Sequence, residues 1–325
     1  MEIYTRIRDI RNIAPSSVAL GYFDGLHIGH RTLISKCLED AEKHGRLGAV
    51  FTFREHPKNV LAGRIAVTRL LSPEDKHRAL AEMGVDCLFE LPFEAGFHQM
   101  PPEVFARDLV AGAFHARAAF CGFNFHFGKN AAGDADSLID FGEAWGYQTY
   151  VLDPVHIRTE KGVPTTQTVS STLIRERIKS GRVEEAGRLL GGAYSLSGVA
   201  TPGKQLGRML GFPTANFPLS PAMTPPAPGV YITRTAVAFE AGACPAVFPS
   251  VTNVGVNPTT DQPHGAMVET HLLDWDGELY GKALRVQFLR MLRPEQKFEN
   301  LDALKAAIAK NAQEARDYFA SAPSE

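Results

Sequence analysis

His27 and His30, separated by an isoleucine and Gly29, close a run that opens Gly21-Tyr-Phe23-Asp24. The run leaves an apolar segment, Val18 to Leu20, and passes through an Asp-Gly turn into the start of a helix, so both imidazoles share one face. A helix N-terminus offers free N–H groups and partial positive charge, and Gly29 lets a phosphate approach the backbone. The imidazoles add donors for charge developing on a phosphoryl oxygen. Nucleotidyl transfer is the chemistry this fits. An isolated H-x-G-H is equally well a solvated helix face, so the context decides.

That context is a second phosphate-grasping arrangement downstream. Ser170, Ser171 and Thr172 bring three hydroxyls to another helix start, with Arg175 inside its first turn. Between the two, Asn124 follows an expected strand among aromatic residues, where its amide offers both a donor and an acceptor to a nucleotide. His56, in Phe51-Thr-Phe-Arg-Glu-His-Pro, ends another strand; a turn-forming His-Pro explains it adequately, and it is ranked as supporting.

A different constellation lies in the C-terminal half. Gly203 and Lys204 begin a glycine-rich basic stretch that continues through Gly211, Phe212 and Pro213 to Thr214 and Asn216. It offers backbone N–H groups and cations to phosphates but is no Walker-type loop, because Gln205 follows the lysine and the upstream glycine spacing is wrong. Thr214 and Asn216 are two apart, so on extended backbone their oxygens face one way, a geometry that suits Mg²⁺ carried in by ATP. Farther on, Val268-Glu-Thr-His-Leu alternates along a strand, which sets Glu269 and His271 on one face. Glu269, ionised near neutrality, could take the proton of a primary alcohol as a phosphoryl group is transferred to it.

These residues need scaffolds. The 325 residues, 44% apolar, allow two domains with a core each. From the start to about Val155, short β-rich runs alternate with helical patterns, which predicts a doubly wound, Rossmann-like α/β layer with ligands at the carboxyl ends of its strands. Helices near Ser171–Ser180 and Val183–Leu190 end at Gly191-Gly192, and the domain boundary is placed there, giving domains 1–190 and 191–325. Beyond it, β-like runs separated by Pro/Gly turns predict a small antiparallel barrel. A terminal helix after Asn300 carries Leu301, Leu304, Ile308, Ala312 and Ala315 as an apolar stripe, read as simple packing. The formal charge of −2, with no basic run, argues against a nucleic-acid or anionic-membrane partner. Four dispersed cysteines read as buried thiols, and the lack of an apolar leader or span points to a cytoplasmic protein. Oligomeric state is not legible.

The motifs G-x-F-D-G-x-H-x-G-H, F-x-F-x-x-H-P, G-x-N-F-x-F-G and S-S-T-x-I-R, in this order, resemble the FMN adenylyltransferase module of bifunctional riboflavin kinase/FAD synthetases. Gly211-Phe-Pro-Thr-Ala-Asn216, N-x-G-x-N-P-T, V-E-T-H-L-L-D and L-Y-G resemble the riboflavin kinase module of the same family. The resemblance implies that His27, His30 and Arg175 handle ATP phosphates with Asn124 near the nucleotide. It further implies that Thr214 and Asn216 bind Mg-ATP and that Glu269 is the base. Arg293 and Glu295, in Leu292-Arg-Pro-Glu-Gln-Lys-Phe298, resemble the segment that closes over the flavin. A six-stranded barrel, Mg²⁺ with ATP as cofactor, and ATP, riboflavin and FMN as ligands follow as expectations. The sequence departs from the family pattern at Leu173, where a second arginine is frequent, at Asn311, where an acidic residue is common, and at Gly192, where arginine is frequent. Alternatives kept open are an enzyme with only its kinase half active, a non-catalytic flavin- or nucleotide-binding regulator, and an adenylyltransferase for another phosphate ester.

Overall fold

The computed structural model describes residues 1–158, 166–202, 207, 210–239, 244–256 and 266–321. The chain forms two compact units, one of Met1–Val67 with Ser72–Ser170, the other of Thr68–Leu71 with Ser171 onward.

In the first unit, β1 (Glu2–Tyr4) and β2 (Ser16–Leu20) precede helix α1 (Ile28–His44), followed by β3 (Leu47–Phe53), α2 (Pro57–Ala62), α3 (Pro73–Glu82) and β4 (Cys87–Leu91). A helical stretch follows: α4 (Ala95–His98), then α5 (Pro102–Val104), which runs into a π-helical segment, Phe105–Ala113. β5 (Ala116–Gly122), α6 (Ala135–Trp145) and β6 (Gln148–Leu152) complete the layer, and β7 (His156–Arg158) pairs with β8 (Thr166–Thr168) as a separate ribbon. The six-stranded sheet has the order β1-β4-β3-β2-β5-β6, parallel throughout. Parallel strands buried on both faces read as continuous apolar runs, and β2 and β4 are buried at every position. The strand order reverses between β2 and β5, and a ligand crevice in such a sheet opens at the carboxyl ends of those two strands.

The second unit opens with α7 (Ser171–Lys179) and α8 (Val183–Leu190), followed by β9 (Tyr194–Val199), β10 (Ala215–Pro218), β11 (Gly229–Ala238), β12 (Ala246–Val256), β13 (Ala266–Leu272), β14 (Ala283–Pro294) and α9 (Leu301–Ser321). Its strands form one curled antiparallel sheet, a half-barrel of order β10-β13-β12-β11-β14-β9. Just past the end of β9, Thr201 bridges to Asn216 of the other edge strand, β10. Inside the curl, Thr233, Thr235, Ser250, Thr252 and Thr270 are fully buried and bond one another's hydroxyls, for example Thr233 to Thr252 at 2.7 Å and Thr252 to Thr270 at 2.9 Å. Satisfied in this way, the hydroxyls avoid the desolvation cost of unpaired buried groups and hold the central strands in register.

The expected boundary at 190/191 falls after α7 and α8, and both helices lie in the second compact unit. The reason is packing: α8 buries Val183, Ala186, Leu189 and Leu190 and lies against β9 and β14. A strap from the N-terminal half joins them. Arg69 N–H donates to the Ala222 carbonyl at 2.6 Å, Thr224 N–H donates to Arg69 O at 2.8 Å, and Leu70 is buried. The cysteine expectation needs a correction at one position, since Cys37, Cys87 and Cys121 are buried but Cys244 is exposed.

Candidate functional site

The first site is built where β2 ends and α1 begins. Gly25 turns the chain at φ +82°, and Leu26 follows at φ +44°, a left-handed conformation costly for leucine that is held here by complete burial of its side chain. His27 then caps α1: its Nδ1 accepts the His30 N–H at 3.2 Å. That bond fixes the neutral tautomer, because an accepting Nδ1 leaves the ring proton on Nε2. The two imidazoles stack at 3.6 Å between centroids, 18° from parallel, and Phe23 meets the His30 ring edge-on at 5.2 Å. A Cβ at Gly29 would lie 3.3 Å from the His27 ring, so glycine there leaves the ring its place.

Burial pushes His27 down to about 4, and burial together with the neighbouring His27 pushes His30 well below the ordinary range. Both rings are therefore neutral at pH 7, and the His30 Nδ1 is a buried nitrogen with no hydrogen-bond partner. Unpaired buried atoms of this kind are rare away from binding sites. The linkage has a definite sign. A histidine with a depressed folded pKa binds fewer protons folded than unfolded, so its stabilisation is complete above about 6.5 and is lost as pH falls toward 4. Thermal melts at pH 7.5 and 5 should show a loss on acidification that shrinks in His27→Asn, where the asparagine still caps the helix. An equal loss in both proteins would assign the pH dependence to other groups.

Of the other expected residues in this unit, Gly21 and Asp24 belong to the β2–α1 turn, Asp24 being buried. A Cβ at Gly21 would lie 3.0 Å from Phe23, so close packing of that ring calls for glycine. Asn124 is exposed just past the end of β5, at the strand that adjoins β2 where the order reverses. His56 caps α2, accepting the Lys58 N–H at 3.1 Å, and packs edge-on against Tyr22 at 4.6 Å, so its placement is structural. Ser170 ends the first unit, while Ser171, Thr172 and Arg175 lie on α7 in the second. There Arg175 Nε donates to the Thr68 carbonyl at 2.7 Å, binding the strap. Leu173 is buried in an apolar face with Ile174 and Ile178, so the position supplies packing.

The second site lies on the half-barrel. β10 pairs Asn216 with Glu269, β12 pairs Asn253 with Glu269, and β11 places Val230 between Asn253 and Arg293. The row Asn216, Glu269, Asn253, Val230, Arg293 thus crosses five strands on one face and lines a cavity of about 400 Å³. Val251, Phe298, Leu304 and Ile308 supply its apolar walls, so the terminal-helix stripe read as simple packing in fact contributes two residues to the cavity, and Leu301 is exposed. A second cleft, of about 750 Å³, is lined by Gly211, Pro213, Trp275, Tyr280 and Arg316. Phe212, Thr214, Asn216 and His271 line both.

Asn216 is buried, and its Oδ1 has no hydrogen-bond partner. A bare buried oxygen on a cavity wall that Thr214 also lines fits a hard divalent cation that keeps most of its other ligands as phosphate oxygens and water. His271 Nδ1 lies 2.8 Å from the Pro213 carbonyl, and burial keeps the ring's affinity for a proton below the ordinary value. Arg293 donates to Asn311 Oδ1 at 3.1 Å and lies over the Phe298 ring at 5.3 Å, so the asparagine at the family's acidic position is a neutral acceptor for this cation. Glu295 lines the same cavity. Gly203 and Lys204 lie outside the described residues. The sequence reading assigned no role to Asn253 or Trp275 and left His271 unused; for Asn253 the signal was present in its N-x-G-x-N-P-T motif.

A doubly wound layer with an imidazole pair at its switch strands, followed by a half-barrel with two adjoining clefts, defines a two-module transferase. Residues 9–167 match the family model described as FAD synthetase, and residues 190–319 match that described as riboflavin kinase. A Bacillus subtilis (strain 168) relative named bifunctional riboflavin kinase/FMN adenylyltransferase is 33% identical over 95% of this chain and 94% of its own. One of the same name from Escherichia coli (strain K12) is 33% identical over 96% and 97%. The chain belongs to the bifunctional riboflavin kinase/FMN adenylyltransferase family. A Streptococcus pneumoniae crystal structure, solved as a macrolide-efflux protein, superposes with a TM-score of 0.83 at 29% identity, over 97% of this chain and 98% of that one. Among the described residues, no helix of this chain is long and apolar enough to cross a membrane.

Proposed function

We propose that the second unit phosphorylates riboflavin to FMN and that the first adenylylates FMN to FAD, ATP serving both reactions. The observation that carries the kinase half is Glu269, on the smaller cleft, paired in register with Asn216, which lines both clefts. A nucleotide in the larger cleft and a flavin in the smaller would present their reacting ends to each other there. Glu269 takes the proton of the ribityl hydroxyl, the oxygen attacks the γ-phosphorus, and ADP leaves with the bridging oxygen's electron pair. Thr214 and Asn216 would hold Mg²⁺, which supplies charge neutralisation on the phosphates. From Glu269 to Arg293 is three strand spacings, roughly 14 Å, a span that suits a ribityl chain and a tricyclic ring lying across Asn253 and Val230. Arg293, with Glu295 nearby, then meets the far edge of the flavin.

In adenylyl transfer an FMN phosphate oxygen attacks the α-phosphorus of ATP and pyrophosphate departs, so no proton must move for bonds to balance. The task is alignment and stabilisation of charge. The His27 Nε2–H is a neutral donor at the crevice, and the free His30 Nδ1 marks a second ligand-facing atom. Asn124 stands at the neighbouring strand end.

Incubation of the protein with riboflavin, Mg²⁺ and ATP, resolved by chromatography over time, should show FMN rising and then yielding to FAD. FMN alone would restrict the protein to its kinase half, a reading that Leu173 in an apolar position favours. No conversion would overturn the proposal.

A further inference from the structure

The β10–β13 ladder stops at Ala215 paired with Thr270. Continued one antiparallel step, that register would set His271 opposite Thr214, and the step beyond lacks a ladder donor because Pro213 has no N–H. At that point the side chain of His271 takes over, its Nδ1 lying 2.8 Å from the Pro213 carbonyl. An atom bonded to a carbonyl oxygen must carry the proton, so the ring donates through Nδ1. The same ring meets Phe212 edge-on, 5.5 Å between centroids at 84°. One imidazole thus grips two consecutive residues of the segment that leads to Thr214 and Asn216, and it does so from the strand and face that carry Glu269.

We infer that His271 is a positioning residue for phosphoryl transfer, fixing the Gly211–Thr214 segment, and with it the Mg-nucleotide ligands Thr214 and Asn216, against the strand that bears the base. The inference rests on the kinase reading above. Glu269 and Asn216 are held in register by the backbone ladder, but Thr214 lies beyond its end, so its oxygen is placed only as well as that segment is held. A tether of this kind acts on the nucleotide side, and riboflavin, seated toward Asn253 and Arg293, should be nearly indifferent to it.

The test is steady-state riboflavin phosphorylation by the full-length protein and its His271→Ala and His271→Asn variants, varying MgATP and riboflavin separately, with FMN adenylylation as a folding control. Asparagine can present an amide N–H close to the position of Nδ1. His271→Ala should raise KM for MgATP about tenfold, the order of one lost hydrogen bond. KM for riboflavin should stay within about threefold, and His271→Asn should restore most of the MgATP affinity. Three outcomes would overturn the inference: an asparagine variant as impaired as alanine, a fall in kcat with KM for MgATP unchanged, or no effect of either substitution. A wild-type protein that fails to phosphorylate riboflavin while adenylylating FMN would instead remove the kinase reading on which it stands.

Discussion

Glu269→Ala should lower riboflavin phosphorylation by about 10²–10⁴-fold while FAD formation from supplied FMN continues at the wild-type rate. The size follows from the role. A primary alcohol is a poor nucleophile until its proton is taken, and on the described cavity wall Glu269 is the carboxylate that shares its register position with the Asn216 oxygen. The selectivity follows from placement: Glu269 is half-buried on β13, on the face opposite the hydroxyl cluster, so truncation removes no core packing. Glu269→Gln keeps the size and polarity of the side chain without its basicity and should be nearly as impaired. A glutamine variant that retains activity would show that the carboxylate orients the substrate and that the proton leaves by another route. Loss of both activities in either variant would mean that the sites are not independent.

That Glu269 and His271 share a face was legible from the alternation Val-Glu-Thr-His-Leu, because a strand's side-chain period is fixed by its own backbone. That Asn216 and Asn253 flank Glu269 was not, because register is a relation between distant segments. Strand β10 leaves little trace as a strand: its four residues, ending in Pro218 and following closely on Pro213, give no apolar run to detect. β1, three residues at a sheet edge, is as faint for the same reason. The exact start of α1 is hard to read, since Gly29 and a histidine are weak helix formers. The cap that sets the true start, the His27 ring on the His30 N–H, depends on a side-chain rotamer that pattern does not encode. That α7 and α8 pack with the second unit was illegible for a related reason. The amphipathic face of α8 announces that it is covered, but nothing local says that β9 and β14 cover it.

The adenylyl-transfer site makes an equally sharp demand. His30→Ala should reduce FAD formation from FMN and ATP by about 10³-fold, with FMN formation from riboflavin unchanged. Removal of a single preorganised donor typically costs 10²–10³, and here the loss is compounded. The His27 ring lies flat on His30 at 3.6 Å, so deleting His30 takes away the surface that orients the Nε2–H of its neighbour. The helix cap itself survives, because His27 Nδ1 bonds the backbone N–H of residue 30 and not its side chain. Fold and chemistry are therefore separable at this position: the melting transition should move little while the rate collapses. His27→Asn supplies the complementary case, since it keeps the cap and the helix start but withdraws the Nε2 donor, and it should cost about 10²-fold. If His27→Asn were inert while His30→Ala was inactive, the reacting phosphate would be met by His30 alone, and the stacked ring of His27 would serve only to hold it in place.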